Sequence, residues 1–298
     1  MPDKLYLDYY KIGIPVIFIT IILILYIQNI VRDKLGKETI IKCHEVGSYY
    51  LQVVGTFYAV LLGLIVVDSM TKFQQAQASL DQEGNALVAI YSSAERFPEQ
   101  RKTLEKLVID YTNEVINTEL SMMENNEQWD PKARDFALEI LQEVKQIEPV
   151  TENQKAIYPI LLSEVSDLLT ARRERIKISN FGEPTIEWIM LIAGGVITII
   201  LTFFFTIESH GIHMFMRAIV SLMILMSLYL TYLFGSPFSG DLKVSDEPYK
   251  IALAFTDWAH QKTGKTVIKQ TEEQKNTEVI NKAPQADIGI NLRKKKPR

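Results

Sequence analysis

A chain of 298 residues that is 47% hydrophobic and 23% charged, with a mean hydropathy of only +0.05, is too polar to be buried wholly in lipid. Its formal net charge of -4 excludes a broadly basic surface, so nucleic acid is not expected as a partner. The only cysteine, Cys43, excludes a disulfide framework within one chain.

Four apolar runs dominate the sequence, at about residues 12–31, 50–68, 186–207 and 212–234. Each run reaches the roughly 20 residues that a helix needs to cross the hydrocarbon of a bilayer. A packed soluble core rarely contains four such runs, so they predict a multi-pass membrane protein in contact with the lipid bilayer. A polar stretch of more than a hundred residues divides the runs two and two.

The lysine and arginine residues near the runs predict the orientation. The side that holds the N-terminus carries more of them, including Lys11, Lys72 and the stretch 172–177. Because the cytoplasmic flanks of membrane helices are enriched in these residues, both termini and the polar stretch are expected in the cytoplasm. The first loop, expected at the outer surface, is also basic. Its basic residues are Arg32, Lys34, Lys37 and Lys42.

Small residues recur along the second run. Gly55, Ala59 and Gly63 are each four positions apart and therefore share one face of a helix. A face without side-chain bulk lets two helices approach closely in lipid. We therefore expect this face to pack against another helix.

A second face of the same run is apolar and bulky. Phe57, Leu61 and Ile65 are also four positions apart, and their face lies about 200° around the helix from the small one. If the small face packs, the bulky face can surround a central axis and close a pore by excluding water. The alternative is that both faces pack against neighbouring helices or lipid.

The second run continues beyond the membrane surface as an amphipathic pattern. Apolar residues follow at spacings near 3.5 as far as Phe97, and Glu83 interrupts their face. The pattern predicts one helix of roughly 40 to 45 residues. This helix can pack within its own domain, or it can act as a stalk that carries motion out of the membrane.

Three further helices are predicted in the polar stretch. Their start signals are Pro98, the pair Asp130-Pro131, and a capping box in which Thr151 is followed by Gln154 three residues later. Residues 69–183 should therefore form a helical domain inserted between membrane helices 2 and 3, called the inserted domain below. Residues 1–68 hold the first two membrane helices and residues 184–236 the last two. Residues 237–298 form a C-terminal segment with a polar, basic tail.

Three segments resemble those of a known family. They are residues 55–63 in the second run, residues 83–87 in the long helix, and residues 237–241 after the fourth run. Over roughly residues 49–254 the chain is similar to a bacterial family of membrane proteins described as bestrophin-like. The motif after the fourth run consists of Pro237, Phe238, Gly240 and Asp241.

The resemblance implies an all-α fold with four membrane helices in the bacterial inner (plasma) membrane and cytoplasmic termini. By analogy with bestrophins it also implies a homo-oligomer, a pentamer, that conducts small anions through a pore lined by the second membrane helix. No cofactor is implied. Bestrophins bind calcium with a dense acidic cluster after the fourth membrane helix. This chain has only Asp241, Asp246 and Glu247 there, which argues against calcium gating.

Neither catalysis nor metal binding is indicated by the remaining residues. No grouping of nucleophile, base and oxyanion donors is found in the sequence, so an enzyme is not expected. His44, His210 and His213 lie on the predicted outer side, but their spacing is not a recognised metal signature and no metal site is predicted. An ion channel is the main hypothesis. The alternative is a membrane-anchored sensor or scaffold that relays a signal through the long second helix.

Overall fold

The computed structural model describes residues 9–35, 37–125, 129–180, 184–204 and 210–262, without the side chains of residues 32–46 and 204–210. These residues are helical almost throughout, and none of them forms a strand. The prediction of an all-α fold is therefore confirmed.

The helices follow one another with short connections. Two of the described elements are not α-helical: a π-helix of five residues and a 3-10 turn of three residues. In chain order the elements are α1 (Tyr10–Leu35), α2 (Lys37–Ala94), α3 (Arg101–Glu114), the π-helix (Val115–Glu119), α4 (Leu120–Glu124), α5 (Pro131–Lys145), α6 (Glu152–Asn180), α7 (Thr185–Leu201), the 3-10 turn (Thr202–Phe204) and α8 (His210–Phe234).

The long helix α2 is the central element of the fold. Its 58 residues give it a length of roughly 87 Å. It is longer than the sequence predicts, because residues 37–49, which were expected to be a loop, are already helical. The predicted apolar continuation is confirmed, since Ala76, Leu80, Leu87 and Ile90 are all fully buried. Along its length α2 contacts α6, α7 and α8.

Local capping signals fix two of the helix starts in the inserted domain. The Asp130 carboxylate accepts hydrogen bonds from the backbone N–H groups of Lys132 (3.3 Å) and Ala133 (2.9 Å) and so begins α5. Thr151 and Gln154 form the reciprocal hydrogen bonds of a capping box, at 3.1 and 3.2 Å, at the start of α6. Both predicted starts are confirmed. Helix α3 begins later than predicted, because residues 98–100 form a turn.

Within the described residues, three helical segments are long and apolar enough to cross a membrane: Tyr10–Val31, Gly47–Ala94 and Gly211–Phe234. Helix α7 has only 17 residues and is too short to qualify by itself. It qualifies only together with α6, from which it is bent by 46°. The described part of the chain therefore contains three candidate membrane helices, or four if the bent pair counts as one.

The chain divides into two compact units, Met1–Leu253 and Ala254–Arg298. The first unit contains α1 to α8 and a helical stretch at residues 247–253. In the second unit the described residues, 254–262, are also helical, and the rings of Phe255 and Trp258 lie 5.8 Å apart.

Candidate functional site

The bulky residues of α2 do not share a single environment within the subunit. Phe57 is 76% exposed, Leu61 is half-buried and Ile65 is buried. The cause is the helical period, since residues four positions apart turn by about 40° per step. Phe57 therefore faces away from the subunit, and Ile65 lies among its neighbouring helices.

An uncovered apolar stripe runs along the outward side of α2. Its members alternate at spacings of three and four residues, and each is at least 58% exposed. They are Val53, Phe57, Val60, Leu64 and Val67. Of this set only Phe57 is among the pore residues predicted from the sequence, although the spacing is the one that marks a helix face that contacts another helix or lipid.

The small residues of α2 have no partner inside the subunit. A Cβ atom added at Gly55 or at Gly63 would meet no described atom within 4 Å, and Ala59 is exposed. The predicted close approach of another helix at this face is therefore not made by the described helices of the same subunit.

Close helix packing occurs instead between α2 and α7. A Cβ atom added at Gly194 would lie 2.5 Å from Cδ2 of Tyr58, and one at Gly195 would lie 3.0 Å from its hydroxyl oxygen. Only glycine leaves room for the buried Tyr58 ring at this crossing. This contact is not among those predicted from the sequence, although two adjacent glycines in an apolar run are a signal for close helix packing.

The predicted basic mouth and the outer histidines are only partly described. The side chains of Arg32, Lys34, Lys37 and Lys42, and those of His44 and His210, lie outside the described residues. His213 is described and is buried on α8. Among the described residues, no group of three or more potential metal ligands occurs.

The motif after α8 forms a closed loop against the start of α1. The backbone N–H of Val244 donates to the carbonyl of Pro237 at 2.8 Å. Gly240 has a φ of 78°, a conformation that glycine adopts without steric cost. The Asp241 carboxylate accepts a hydrogen bond of 2.8 Å from the backbone N–H of Tyr10. Phe238 is buried beneath the loop, so the motif fastens the end of α8 to the first turn of α1.

Four charged side chains are buried together in the inserted domain. Arg175 forms two hydrogen bonds with Glu83, at 2.9 and 3.0 Å, and one with Glu119 at 2.7 Å. Glu119 also pairs with Arg172. Glu83, Glu119 and Arg175 are fully buried, and Arg172 is 5% exposed. We refer to these four residues as the ion cluster.

The ion cluster is balanced in charge and enclosed by aromatic residues. Two carboxylates face two guanidinium groups, so the burial of each charge is compensated by its partners. Tyr111 donates a hydrogen bond to Glu83, and the guanidinium of Arg175 lies 6.0 Å from the ring centre of Tyr249. Burial raises the pKa of both tyrosines well above the usual value. For Tyr111 the nearby Glu83 charge raises the pKa further, and for Tyr249 the Arg175 charge opposes the increase. Both hydroxyls therefore remain protonated.

The π-helix places Glu119 in this cluster. A π-helical turn contains one residue more than an α-helical turn, and such turns are frequent at functional sites. Glu119 faces α6 from this turn, and its carboxylate also accepts a hydrogen bond of 3.2 Å from the backbone N–H of Asp130. The ion cluster therefore joins the long helix α2, the π-helix and α6.

The sequence marks Glu83 as an interruption of an apolar face and as part of one family-like segment, and it places Arg172 and Arg175 among the basic residues of the cytoplasmic side. The structure buries all three. One signal was present: Glu83 continues the buried face of α2, and Arg172 and Arg175 continue the buried face of α6 after Leu168. A charged residue at such a position indicates a buried partner of opposite charge.

Comparisons with known proteins agree with the fold. The family model of the Bestrophin-like domain matches residues 16–249. No relative is found among curated proteins. Among solved structures, a single-substitution variant of a bacterial bestrophin homologue from Klebsiella pneumoniae has a TM-score of 0.64 at 12% identity, and covers 81% of this chain and 96% of that chain. A second variant from that organism has a TM-score of 0.62 at 13% identity over 80% and 98% of the two chains. At this identity the structural likeness shows the fold alone.

Proposed function

The chain belongs to the bestrophin-like family, and on that premise we propose that it is an oligomeric membrane ion channel whose pore is lined by α2. One observation carries the proposal. No described helix of the chain covers the outward stripe of α2, in which Phe57 is 76% exposed. The glycines Gly55 and Gly63 of α2 are also uncovered. Copies of the chain around a common axis would cover the small face and leave the stripe toward the axis.

The proposed topology has four membrane helices. They are α1, the first part of α2, α7 together with its 3-10 turn, and α8. The inserted domain and both termini lie in the cytoplasm, because the stretches next to them hold most of the lysine and arginine residues. The membrane is the bacterial inner membrane, in agreement with the bacterial homologues that share the fold.

The proposed oligomer is a pentamer, by the family analogy. Its constriction is a ring of Phe57 with Leu61 beside it from each subunit, whereas Ile65, the third predicted member, is buried within its own subunit. Such a ring is unfavourable for water and therefore for ions until the helices move apart. Phe57 would contribute most to the ring, because Leu61 is half-buried.

The permeant ions are proposed to be small anions. Arg32, Lys34, Lys37 and Lys42 lie at the junction of α1 and α2, which is the outer end of the proposed pore. A basic mouth raises the local concentration of anions through its electric field. This attraction is strongest at low ionic strength, where charges are least screened.

Recordings in planar bilayers with unequal KCl on the two sides test this proposal. The zero-current potential should have the sign of a chloride-selective pore. Replacing Arg32, Lys34, Lys37 and Lys42 with Gln should reduce the current most at low salt. A control that neutralises Lys155 and Lys177, which are exposed on α6, should leave it unchanged. A potential of the opposite sign would reject anion selectivity.

A membrane-anchored sensor or scaffold is the second candidate function. It is favoured by the continuity of α2, which runs without a break from the apolar region at Val53 to the ion cluster at Glu83. A rigid helix of this kind can carry motion from the membrane to the inserted domain. A well-folded oligomer that stays silent in bilayers under all conditions would favour this function over the channel.

A further inference from the structure

A cavity of about 490 Å³ opens in the first unit between the π-helix region and the segment after α8. Its volume lies within the range of roughly 300 to 1,000 Å³ that is typical of sites for small molecules. It contains none of the proposed pore residues and none of the four residues of the ion cluster. The cavity is therefore separate from the proposed pore and from the ion cluster.

One wall of the cavity is a fixed loop. The hydrogen bond from Val244 to Pro237 closes the loop, and the backbone N–H of Ser245 donates to the Gln77 side chain of α2 at 2.9 Å. Phe238 and Val244 are each only 7% exposed. These contacts form the wall before any ligand arrives, and a preformed site lowers the entropic cost of binding.

The opposite wall is formed by the π-helix and α4. It contributes the apolar side chains of Ile116 and Leu120 and the polar side chains of Ser121 and Glu124. Together with Phe238 these residues give the cavity an apolar floor. The π-helix is a second indication of a site, since such turns occur frequently where proteins bind ligands or perform chemistry.

Charges of both signs surround the apolar floor. Lys243 pairs with Glu124 at 3.1 Å, and Lys250 pairs with Asp246 at 2.8 Å. All four side chains are partly exposed, between 32% and 56%. Partly exposed ion pairs of this kind contribute little stability, so a ligand with matching charges can replace either partner.

We propose that this cavity binds a zwitterion of about the size of a dipeptide, with an apolar body between its ammonium and carboxylate groups. A ligand with only a negative charge would approach Lys243 and Lys250 but also face the carboxylates of Glu124 and Asp246. A ligand with only a positive charge would meet the opposite conflict. A zwitterion satisfies both signs, and its apolar body covers Ile116 and Phe238.

Calorimetric titration of the full-length protein in detergent tests the proposal with three probes that share one apolar body. Alanyl-leucine carries both charges, N-acetyl-alanyl-leucine only the negative charge, and alanyl-leucinamide only the positive charge. Alanyl-leucine should bind saturably, and each capped form should bind at least roughly tenfold more weakly, a factor that corresponds to about 1.4 kcal/mol.

Charge-removing variants separate recognition from folding. The double variant Lys243→Met/Lys250→Met should abolish the preference for alanyl-leucine over its amide, because the carboxylate loses both lysines. Glu124→Gln/Asp246→Asn should abolish the preference over the N-acetyl form, because the ammonium loses both carboxylates. Lys177→Met, which removes an exposed charge from α6, should bind all three probes as the parent does. Equal binding of the three probes, no saturable binding, or unchanged preferences in both variants would overturn the proposal.

Discussion

The membrane helices and the inserted domain distribute their side chains in opposite ways. The membrane helices expose large apolar residues, such as Phe57 at 76%, Ile22 at 67% and Ile19 at 64%. The inserted domain instead buries four charged residues in its core, at 0 to 5% exposure. The first region leaves a large apolar surface uncovered by the described residues of the chain. The second is complete, because each buried charge already has its partner in the same chain.

This difference predicts where substitutions are costly. In the membrane region many large apolar side chains are exposed, so removing one of these should affect assembly or conduction more than folding. In the inserted domain the ion cluster depends on every member. Removal of one partner from a buried ion pair leaves an uncompensated charge in a medium of low polarity.

The largest effect is expected for Arg175→Met. The variant would leave Glu83 and Glu119 buried with Arg172 as the only remaining cation of the cluster, which should destabilise the protein by about 3 to 5 kcal/mol. Thermal and denaturant unfolding in detergent measure this loss. Arg175→Lys should recover only part of the lost stability, since lysine cannot form the bidentate hydrogen bond with Glu83.

Lys155→Met is the control for this prediction. Lys155 forms a surface pair with Glu152 at 2.9 Å, and its removal should change stability by less than about 0.5 kcal/mol. If the Arg175→Met and Lys155→Met variants lose the same amount of stability, the ion cluster does not stabilise the core of the inserted domain.

An intermediate effect is expected for Gly194→Ala. The added Cβ would lie 2.5 Å from the Tyr58 ring, so α2 and α7 would have to move apart. Overpacking of this kind costs about 1 to 3 kcal/mol. The same substitution at Gly55, where the added carbon meets no described atom within 4 Å, is the control. Thermal unfolding of both variants should show a lower midpoint only for Gly194→Ala.

Substitution of the α2 glycines by leucine should act on assembly. Gly55→Leu and Gly63→Leu add bulk to a face that no described helix of the subunit covers, so the folded subunit should be retained. If another subunit packs on this face, association should weaken by at least about tenfold, or roughly 1.4 kcal/mol. Light scattering in detergent measures the effect. Unchanged assembly of both variants would show that the face contacts lipid.

The smallest effect concerns an exposed pair of the inserted domain. The hydrogen bond from Lys132 lowers the pKa of Glu114 below its usual value of 4.5. A lowered folded-state pKa contributes stability above the unfolded-state value, and this contribution is lost as the pH falls below it. When the pH falls from about 6 to about 4, the Glu114→Gln variant should therefore lose less stability than the parent, because it lacks this carboxylate. Equal losses would show that the pair does not contribute.

Local sequence signals predicted the helical fold well, and nonlocal contacts explain what they missed. The start of α5 at Asp130 and the capping box at Thr151 depend on residues within three positions, which can be read directly from the sequence. The pairing of Glu83 with Arg175 joins residues 92 positions apart, and no local pattern specifies it. The contact between Tyr58 and Gly194 joins residues that are still farther apart in the sequence.

The candidate pore residues show a second limit of prediction from the sequence. A spacing of four positions placed Phe57, Leu61 and Ile65 on one predicted face, but the turn of about 40° at each step carries Ile65 into the subunit. The exposed set follows spacings of three and four instead, from Val53 to Val67. Which face is outward depends on where α7 and α8 pack, and the sequence of α2 alone does not contain that information.

The most direct test of the account is the conductance of a Phe57→Ala/Leu61→Ala variant in planar bilayers. Smaller side chains at the proposed constriction should admit water, so the current should rise above that of the parent. Phe18→Ala, which removes another exposed phenylalanine ring, from α1, should leave the current unchanged. A folded oligomer that conducts no ions, either as the parent or as the double variant, would contradict the proposal of a pore lined by α2.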